Sequence, residues 1–541
     1  EACGRLLAEL LSAAPGLNVL VTSRAPIGIS TEHEHLVPPL QLPDASENVE
    51  PADLRASPAV ALFLVRAAAV LPNFQPSDND LATIAEICRR LDGIPLAIEL
   101  AAARARLLTP AALLARLDKP LSILTGGPLD LPQRQQTLRQ TINWSYALLT
   151  KAEQVLLARF SAFAGGATID AVEAVNGTLG VDPEETLFAL DGLVRGSLVR
   201  RDEDAAGEPR FSMLETVREY ARELLDGSRE LRKVCRAHAI YYLNLAEQID
   251  PSSSGIRHNP STINMVSRMD AERSNHRAAL GWAAIHDRML ELRLAVALGS
   301  FWLLSGSFTE GRRWLEEALS SAPDAPIEQR ALAYTYIGRM ASHQSDYHTA
   351  EHGLTESLSL FREAGDVRQT AWAMHGLGRI LLVQGDRQRG IRLLEESLEL
   401  SDGQDLSWGD TRGLVLEVLG AELVNRGDRE ATKRGERLLL DAVAVSRAAR
   451  SANSEGLSLA ALAWAAYYAG DDQRARALLD EALTIWRVAH QHILGVHVRL
   501  ALGGSHCLPA SSRRPPRTSM RACVSRLRSR IGREPSMPCA G

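Results

Sequence analysis

The sequence predicts a mainly α-helical protein of several domains that ends in an α-solenoid. Apolar residues recur at helical spacing through most of its 541 residues. One short turn returns five times between residues 306 and 471, each time ahead of an apolar position. Two strand-like segments near residue 200 interrupt the helical pattern. A chain of this length exceeds what one core holds, so we expect roughly three to five domains.

The composition excludes several kinds of site. The 60 Lys and Arg nearly balance 66 Asp and Glu, for a formal net charge of −6. None of the few lysines follows a glycine, so the sequence contains no Gly-Lys pair of a phosphate-binding P-loop. The 6 Cys form no Cys-x-x-Cys pair, which argues against a zinc site or a disulfide framework. Without a long apolar run or a signal peptide, we expect a cytoplasmic protein with no membrane partner.

The first segment has the pattern of part of an α/β domain. A helix is predicted over Ala2–Ala13 and ends at Pro15-Gly16. The apolar run Val19-Leu20-Val21 then leads into Thr22-Ser23-Arg24. This order is typical of a buried parallel strand with polar residues at its carboxyl end. Spacing alone is better explained by a strand tip capped by Thr22 and Ser23, with Arg24 solvated.

A second segment contains a sharp corner between two predicted helices. Helical periodicity covers residues 56–70 and 80–91, and Leu91-Asp92-Gly93-Ile94-Pro95-Leu96-Ala97 follows. Gly93 can end one helix, and Pro95 can occupy the first turn of the next. From spacing alone, this segment is a helical corner and nothing more.

Taken together, Val-Leu-Val-Thr-Ser-Arg and the later Leu-Asp-Gly-Ile-Pro-Leu-Ala resemble the NB-ARC-type signalling ATPases of the STAND class. More narrowly, they are similar to bacterial LuxR-family regulators with tetratricopeptide repeats. The resemblance implies that residues 1–55 are the remnant of a P-loop α/β domain and 56–120 a helical subdomain. It implies that Arg24 senses the nucleotide γ-phosphate, and that Gly93, Pro95 and Leu96 pack on the adenine.

The P-loop and the acidic Mg²⁺-site strand of that family have no counterpart in this sequence. We therefore expect a chain that begins past the catalytic half of a longer parent. ATP or ADP and Mg²⁺ would belong to the intact parent, and this chain is expected to hold no cofactor and no metal. Because phosphate cradling and water activation need the missing parts, we expect no enzymatic activity.

Residues 121–230 are predicted to form a winged helix. Thr150-Lys151-Ala152-Glu153 is a capping box that starts a helix, and Asp182-Pro183 starts another. Ser197–Arg201 and Arg210–Met213 have the pattern of a hairpin. Arginines and carboxylates cancel around it, which favours packing inside the molecule over DNA binding. We expect DNA contact only through a domain not evident in this sequence.

The same resemblance extends to the end of the winged helix. Met213-Leu214-Glu215 occupies the place where some of those relatives have Met-His-Asp. In them the histidine approaches the β-phosphate of the nucleotide. The resemblance therefore implies that this contact is lost here, because Leu214 cannot make it.

After a helical linker at 231–290, residues 291–504 are predicted to be tetratricopeptide-like repeats. Steps of roughly 40 residues separate the turns, and each unit is a helix, a turn and a second helix. The turn uses Gly, Asp and Ser because it needs positive φ or a side chain that bonds its own backbone. The five turns are Gly306-Ser307-Phe308, Ser345-Asp346-Tyr347, Gly385-Asp386, Gly427-Asp428 and Gly470-Asp471.

Such repeats leave a concave groove, which we expect to bind a protein or peptide and to allow self-association. We place the groove on the first helices of the repeats. Its candidate residues are Tyr334, Arg339, Trp372, His375, Arg379 and Glu417. The predicted function is that of part of a nucleotide-switched bacterial signalling or transcriptional regulator whose repeats sense a ligand. The alternative is a stand-alone repeat scaffold with a vestigial ATPase remnant.

Two further segments carry weaker patterns. His343, His348 and His352 could be metal ligands, but solvated helix-face histidines explain the spacing better. Residues 505–541 are rich in Arg and Pro and lose apolar periodicity, so we expect a basic, disordered tail rather than a nucleic-acid-binding arm.

Overall fold

In the computed structural model, the chain forms two compact units. One unit is Glu1–Tyr242 with Ser274–Trp282, and the other is Leu243–Arg273 with Ala283–Gly541. Arg24, the turn Gly427-Asp428 and the predicted tail lie outside the described residues. The described ranges are 2–14, 16–23, 26–33, 35, 37–43, 50–72, 74–117, 124, 137–203, 207–248, 260–403, 408–426 and 429–488.

The first unit begins with short helices. Phe63, Leu81, Ile84 and Ile98 are all within 1% of complete burial and form the core between them. A capping box between Ser77 and Asp80 starts the longest amphipathic helix of this group. The helices are α1 (Ala2–Ala13), α2 (Pro51–Ala56), α3 (Pro58–Val70), α4 (Asp78–Arg90), α5 (Pro95–Ala102) and α6 (Pro110–Leu114), with a 3₁₀ turn at Ala103–Arg106.

The predicted helix Ala2–Ala13 is confirmed, but the predicted strand at 19–21 is wrong. Leu20 is 97% exposed, and Val19 and Val21 are also exposed. A strand of a parallel sheet needs neighbours on both sides. Among the described residues, only the three strands near residues 167–212 pair into a sheet, so this apolar run has no partner strand.

The winged helix follows and is confirmed in its main elements. Helix α8 starts with the predicted Thr150–Glu153 capping box, and Asp182 caps α10. The sheet is antiparallel in the order β1-β3-β2, with Arg201 opposite Phe211. Its elements are α7 (Leu138–Tyr146), α8 (Lys151–Phe160), β1 (Ala167–Thr168), α9 (Ile169–Thr178), α10 (Pro183–Arg195), β2 (Arg200–Glu203), β3 (Pro209–Ser212) and α11 (Glu215–Asp226).

The hairpin differs from its prediction in two respects. The first strand begins at Arg200 rather than Ser197, because Ser197 has a left-handed backbone with φ of 55°. Leu198 and Val199 are then buried as connecting residues. The sequence also gave no sign of β1, whose two residues are too short to show a period.

Part of the predicted linker belongs to the first unit. Helices α12 (Leu231–Glu247), α13 (Pro260–Ala271) and α14 (Arg273–His286) cover most of it. The Asn275 side chain accepts a hydrogen bond from the amide of Ala164 at 2.7 Å and donates to the carbonyl of Gly166 at 2.9 Å. These bonds tie the start of α14 to the loop before β1.

Within its described ranges, the second unit contains five helical hairpins, as the repeat pattern predicts. Each first helix packs against its own second helix and against the first helix of the next hairpin. This stacking produces an inner row of first helices. The pairs are α15 (Arg288–Ser305) with α16 (Phe308–Ser321), α17 (Ile327–His343) with α18 (Tyr347–Ala364), α19 (Val367–Gln384) with α20 (Arg387–Leu400), α21 (Gly409–Arg426) with α22 (Arg429–Ala448), and α23 (Ala452–Ala469) with α24 (Asp472–Val488).

The described turns have the predicted chemistry. A left-handed residue ends each first helix, including Ser345 with φ of 62° in place of a glycine. In three of these turns an aspartate follows and caps the second helix through its side chain, whereas Ser307 in the first turn makes no capping bond. Asp346, Asp386 and Asp471 accept bonds from backbone amides three residues further on, at 3.0 to 3.2 Å.

Within three hairpins the two helices touch backbone to backbone through a pair of glycines. A Cβ atom on Gly390 would lie 2.9 Å from the carbonyl oxygen of Gly378, and one on Gly435 would lie 2.7 Å from that of Gly420. Any larger residue would therefore push the helices apart. We call these pairs the glycine clasps: Gly338 with Gly353, Gly378 with Gly390, and Gly420 with Gly435.

None of the helices in the described ranges combines the length and the apolar character needed to cross a bilayer.

Candidate functional site

All six predicted groove residues lie on three consecutive first helices, and five of them lie close together. Arg339 is on α17, Trp372, His375 and Arg379 are on α19, and Glu417 is on α21. Arg339 and Arg379 occupy the same position relative to the turn that ends their helix. Trp372, His375 and Arg379 are spaced to share one face of α19. We call these five residues the inner cluster.

An arginine and an indole ring join α17 to α19. The guanidinium carbon of Arg339 lies 5.3 Å from the centre of the Trp372 ring, a cation–π contact. The Trp372 ring is in turn 5.2 Å from the His375 ring, centre to centre. Trp372 and His375 are both only 8% exposed. The ring of Trp372 is therefore a wall on which Arg339 is held.

Arg379 extends the cluster to α21. Its Nη2 atom donates a long hydrogen bond of 3.5 Å to the Ser342 hydroxyl on α17. It interacts electrostatically with His375 on its own helix and with Glu417 on α21. Sequence reasoning missed Ser342, because a serine near a helix end gives no signal of what it faces.

The surroundings of the cluster disfavour charge. Burial lowers the pKa of Arg339 to about 10, with neighbouring Arg379 acting in the same direction. Burial and both arginines lower the pKa of His375 to about 3. Burial raises the pKa of Glu417 to about 7, against the opposing effect of Arg379. At neutral pH the cluster thus has two cationic guanidiniums, an uncharged imidazole and a partly protonated carboxyl.

Three members of the cluster keep access to solvent. The side chains of Arg339, Arg379 and Glu417 are half-buried, with protein on most sides. This combination of crowding and access is typical of a concave surface. The arrangement can bind a polar ligand group without first opening the core.

Tyr334 lies outside the inner cluster, and its contact with a partner stays a prediction. Its ring packs against the apolar core of the second and third hairpins, edge-on to His352 of α18 at 6.4 Å between ring centres. Tyr334 and Arg339 share a helix but lie on different faces of it. His343 stacks on Phe308 at 4.9 Å. Within the described ranges no three His, Cys, Asp or Glu side chains are grouped as metal ligands.

Arginines of the second helices have different surroundings. Arg312 on α16 forms an ion pair with Asp346 at 3.1 Å, and Arg389 on α20 pairs with Glu351 of α18 at 3.2 Å. Arg447 on α22 pairs with Glu481 of α24 at 3.0 Å. Their carboxylate partners come from neighbouring hairpins, so these pairs join successive second helices.

The Gly93 corner of the first unit requires a glycine. Gly93 has φ of +66°, and a Cβ atom there would overlap the carbonyl oxygen of Leu40. The Gly93 carbonyl accepts a hydrogen bond from the Leu40 amide at 3.0 Å. Pro95, the first residue of α5, is exposed, and Leu96 is half-buried. Their packing on an adenine stays a prediction, as does the role of Arg24.

The residue before Gly93 links this corner to the winged helix. Asp92 has φ of 52°, and its Oδ2 atom accepts a hydrogen bond from the backbone amide of Glu215 at 2.7 Å. It thereby caps the N-terminus of α11, whose own preceding residue, Leu214, has no polar side chain. Burial raises the pKa of Asp92, while the bond from Glu215 opposes the shift. Sequence reasoning missed this contact.

Polar groups of the hairpin also bond within the first unit. Arg210 donates to the carbonyl oxygens of Gly165 and Gly166 at 3.2 and 3.1 Å. The Ser212 hydroxyl donates to Asp202 at 2.8 Å. These bonds join polar groups of the hairpin to other residues of the first unit, and the absence of DNA binding by the hairpin stays a prediction.

Family models match the two regions that the fold distinguishes. Residues 149–226 match a winged helix-turn-helix domain. Residues 329–402 and 457–492 match tetratricopeptide repeats.

The curated relatives come from mycobacteria. The chain is 36% identical over 390 residues to a Mycobacterium tuberculosis (strain ATCC 25618 / H37Rv) protein named as a candidate HTH-type transcriptional regulator. That match covers 70% of this chain and 42% of the relative, so the chain spans less than half of its length. An uncharacterized Mycobacterium bovis protein is 35% identical over 260 residues, covering 48% of this chain and 62% of the relative.

Two solved structures show distant likeness. One is a STAND protein with a tetratricopeptide repeat sensor from Pyrococcus horikoshii, with a TM-score of 0.40, 15% identity, and coverage of 84% of this chain and 62% of that one. The other is NprR in complex with its cognate peptide NprX, with a TM-score of 0.41, 13% identity, and coverage of 68% and 91%. At these scores neither likeness bears on function. The chain is mainly α-helical, with a winged helix followed by an α-solenoid of tetratricopeptide repeats.

Proposed function

We propose that this chain is the sensing part of a transcriptional regulator and that its repeats bind a peptide or protein segment along the first helices. The observation that carries the proposal is the inner cluster, which places charged and aromatic side chains on three consecutive first helices. Tetratricopeptide repeats stack into surfaces suited to extended ligands. The name of the mycobacterial relatives supports a role in transcription.

The proposal includes a nucleotide-switched parent, as the resemblance to the signalling ATPases implies. The bond from the Glu215 amide to Asp92 supports it, since this bond joins the Gly93 corner to the first turn of α11. A ligand that displaced either element would break the bond. We propose no catalysis by this chain, because its sequence contains no Gly-Lys pair.

A photo-crosslinking experiment tests the peptide-binding part. The full chain is mixed with N-acetylated, randomised hexapeptides that each contain one benzoylphenylalanine, irradiated, and digested for mass spectrometry. We expect crosslinks on α17, α19 and α21 that an excess of unlabelled hexapeptides suppresses. Crosslinks confined to the second helices α18, α20 and α22, or no suppressible crosslink at all, would contradict the proposal.

A further inference from the structure

The winged helix contains a cavity between α8, α9 and α10 in which the proposed function has no part. Its volume is about 290 Å³, which is small for a ligand site. Lys151 and Arg159 both line it, and because they are eight positions apart on α8, it extends along about 12 Å of that helix. A cavity of this shape fits a small, elongated molecule.

The middle of the lining is apolar. Val155 and Leu156 lie between Lys151 and Arg159 along α8, and Ala189 lines the cavity from α10. These side chains offer apolar surface to the body of a ligand but no hydrogen bond. The polar groups that can orient a ligand therefore lie toward the two ends.

The two ends carry opposite charges. Lys151, the first residue of α8, lies at one end. At the other end the Asn176 side chain accepts a hydrogen bond from Arg159 at 2.9 Å, and its carbonyl accepts one from the Val181 amide at 3.2 Å. Val181 leads into α10, so Glu185 in the first turn of α10 belongs to this second end. Among the described residues neither Lys151 nor Glu185 forms an ion pair.

A buried hydroxyl beside Glu185 lacks a partner. Thr186 lines the cavity and is 2% exposed, and its Oγ1 atom makes no hydrogen bond within the described ranges. A buried hydroxyl in that state costs free energy until a partner arrives. Because threonine has two accessible rotamers in a helix, the hydroxyl can turn to a ligand. Arg159 already has partners, since Glu230 pairs with it at 3.0 Å.

We infer that this cavity binds a dipeptide that has free termini and small apolar side chains. Its carboxylate pairs with Lys151, and its ammonium group donates to Glu185 and to the Thr186 hydroxyl oxygen. An extended dipeptide spans about 7 Å, and the flexible Lys151 and Glu185 side chains can bridge the remaining distance. A single amino acid has its two charges side by side and cannot reach both ends. The site would give the protein a second ligand, separate from the one proposed for the repeats.

Equilibrium dialysis of the full chain at pH 7 tests the inference with four pools of dipeptides built from Ala, Val and Leu. The first pool has free termini, the second is N-acetylated, the third is C-amidated, and the fourth is blocked at both ends. The free amino acids form a further sample. Mass spectrometry measures the bound fraction, and hydrogen exchange locates the protected helices. We expect protection of α8 and α10, and binding of the first pool about fivefold tighter than of either singly blocked pool.

Variants of the full chain assign each end. Lys151→Gln should abolish the difference between the first and third pools, and Glu185→Gln the difference between the first and second. Both side chains are exposed, so these variants should fold. Thr186→Val keeps the shape of the side chain without its hydroxyl and should weaken binding of the first pool without lowering the melting temperature. The matched control is Glu184→Gln, an exposed carboxylate on α10 outside the cavity lining, which should bind every pool as the wild type does.

Equal binding of all four pools, or binding of the free amino acids as tight as that of the dipeptides, would overturn the inference. A preference for free termini that survives both Lys151→Gln and Glu185→Gln would overturn it too, as would protection confined to the repeat helices. Absence of binding by every pool would overturn the dipeptide site and leave the proposed function standing, because that function depends on hexapeptide crosslinks to α17, α19 and α21.

Discussion

Two arginines, one in each unit, show how differently a crowded cation can be held. Arg159 in the winged helix is 6% exposed, forms an ion pair with Glu230 at 3.0 Å and donates to the Asn176 side chain at 2.9 Å. Arg339 in the repeats faces an indole ring and, among the described residues, has no carboxylate in an ion pair. A charge whose partners belong to its own unit stabilises that unit. A charge without an anion is available to a ligand.

The largest effect is expected for Arg159→Met. Removal of the guanidinium leaves the buried Asn176 oxygen without its donor and Glu230 without its cation, which should cost about 3 kcal/mol. Urea unfolding monitored by hydrogen exchange in α8 and α9 measures the loss for this unit. Arg195→Gln is the control, since that arginine is exposed and should change stability by less than about 0.5 kcal/mol. If Arg159→Met lowered the free energy of unfolding no more than Arg195→Gln does, Arg159 would not be held by its partners as described here.

An intermediate effect is expected for Glu417→Gln, and it should depend on pH. The pKa of Glu417 is raised from 4.5 to about 7 in the folded chain, because burial outweighs the attraction of Arg379. The stability this group contributes is therefore complete below about pH 4.5 and is lost as the pH rises through about 7.

Glutamine cannot lose a proton, so the variant should exceed the wild type in stability at pH 8 by about 1 to 2 kcal/mol, allowing for partial solvent screening. The two proteins should converge near pH 5. Urea unfolding of the repeats at both values measures this difference. A gap of the same size at both pH values would show that Glu417 is not the titrating group.

The smallest effect on stability is expected for Arg339→Gln. The variant loses the cation–π contact with Trp372, which destabilises the fold. It also no longer has to keep a charged guanidinium away from water, which stabilises the fold. These terms oppose each other, so the free energy of unfolding should change by less than about 1 kcal/mol. Thermal and urea unfolding measure it beside the control Arg362→Gln, at an exposed arginine on α18. Destabilisation as large as that of Arg159→Met would mean that Arg339 is a structural residue.

The repeats were predictable because their signals are local. A left-handed residue followed by a capping aspartate appears within a few positions of sequence, as at Gly385 and Asp386. The inner cluster was largely predictable from the same register. The separation of Tyr334 from that cluster was not predictable. Naming a helix does not say which of its faces a residue occupies, and a change of one position turns the side chain by about 100°.

Contacts between distant segments were not predictable. Nothing near Asp92 in the sequence indicates that its carboxylate accepts the amide of Glu215. The error at Val19–Val21 has a related cause. A three-residue apolar run looks the same in the sequence whether or not neighbouring strands cover it. Here no strand among the described residues pairs with it, and all three side chains are exposed.

The glycine clasps have a consequence for how such a protein can change over evolutionary time. They set the geometry of three hairpins through backbone contact, and none of the six glycines belongs to the inner cluster. Mutations in the inner cluster therefore leave the packing of the hairpins unchanged. Mutations in the glycine clasps alter that packing even when the inner cluster is unchanged. A lineage that keeps the clasps can exchange one ligand for another by a few point mutations at the positions of Arg339, His375, Arg379 and Glu417. Duplicated genes of this type could diverge in what they sense while retaining one architecture.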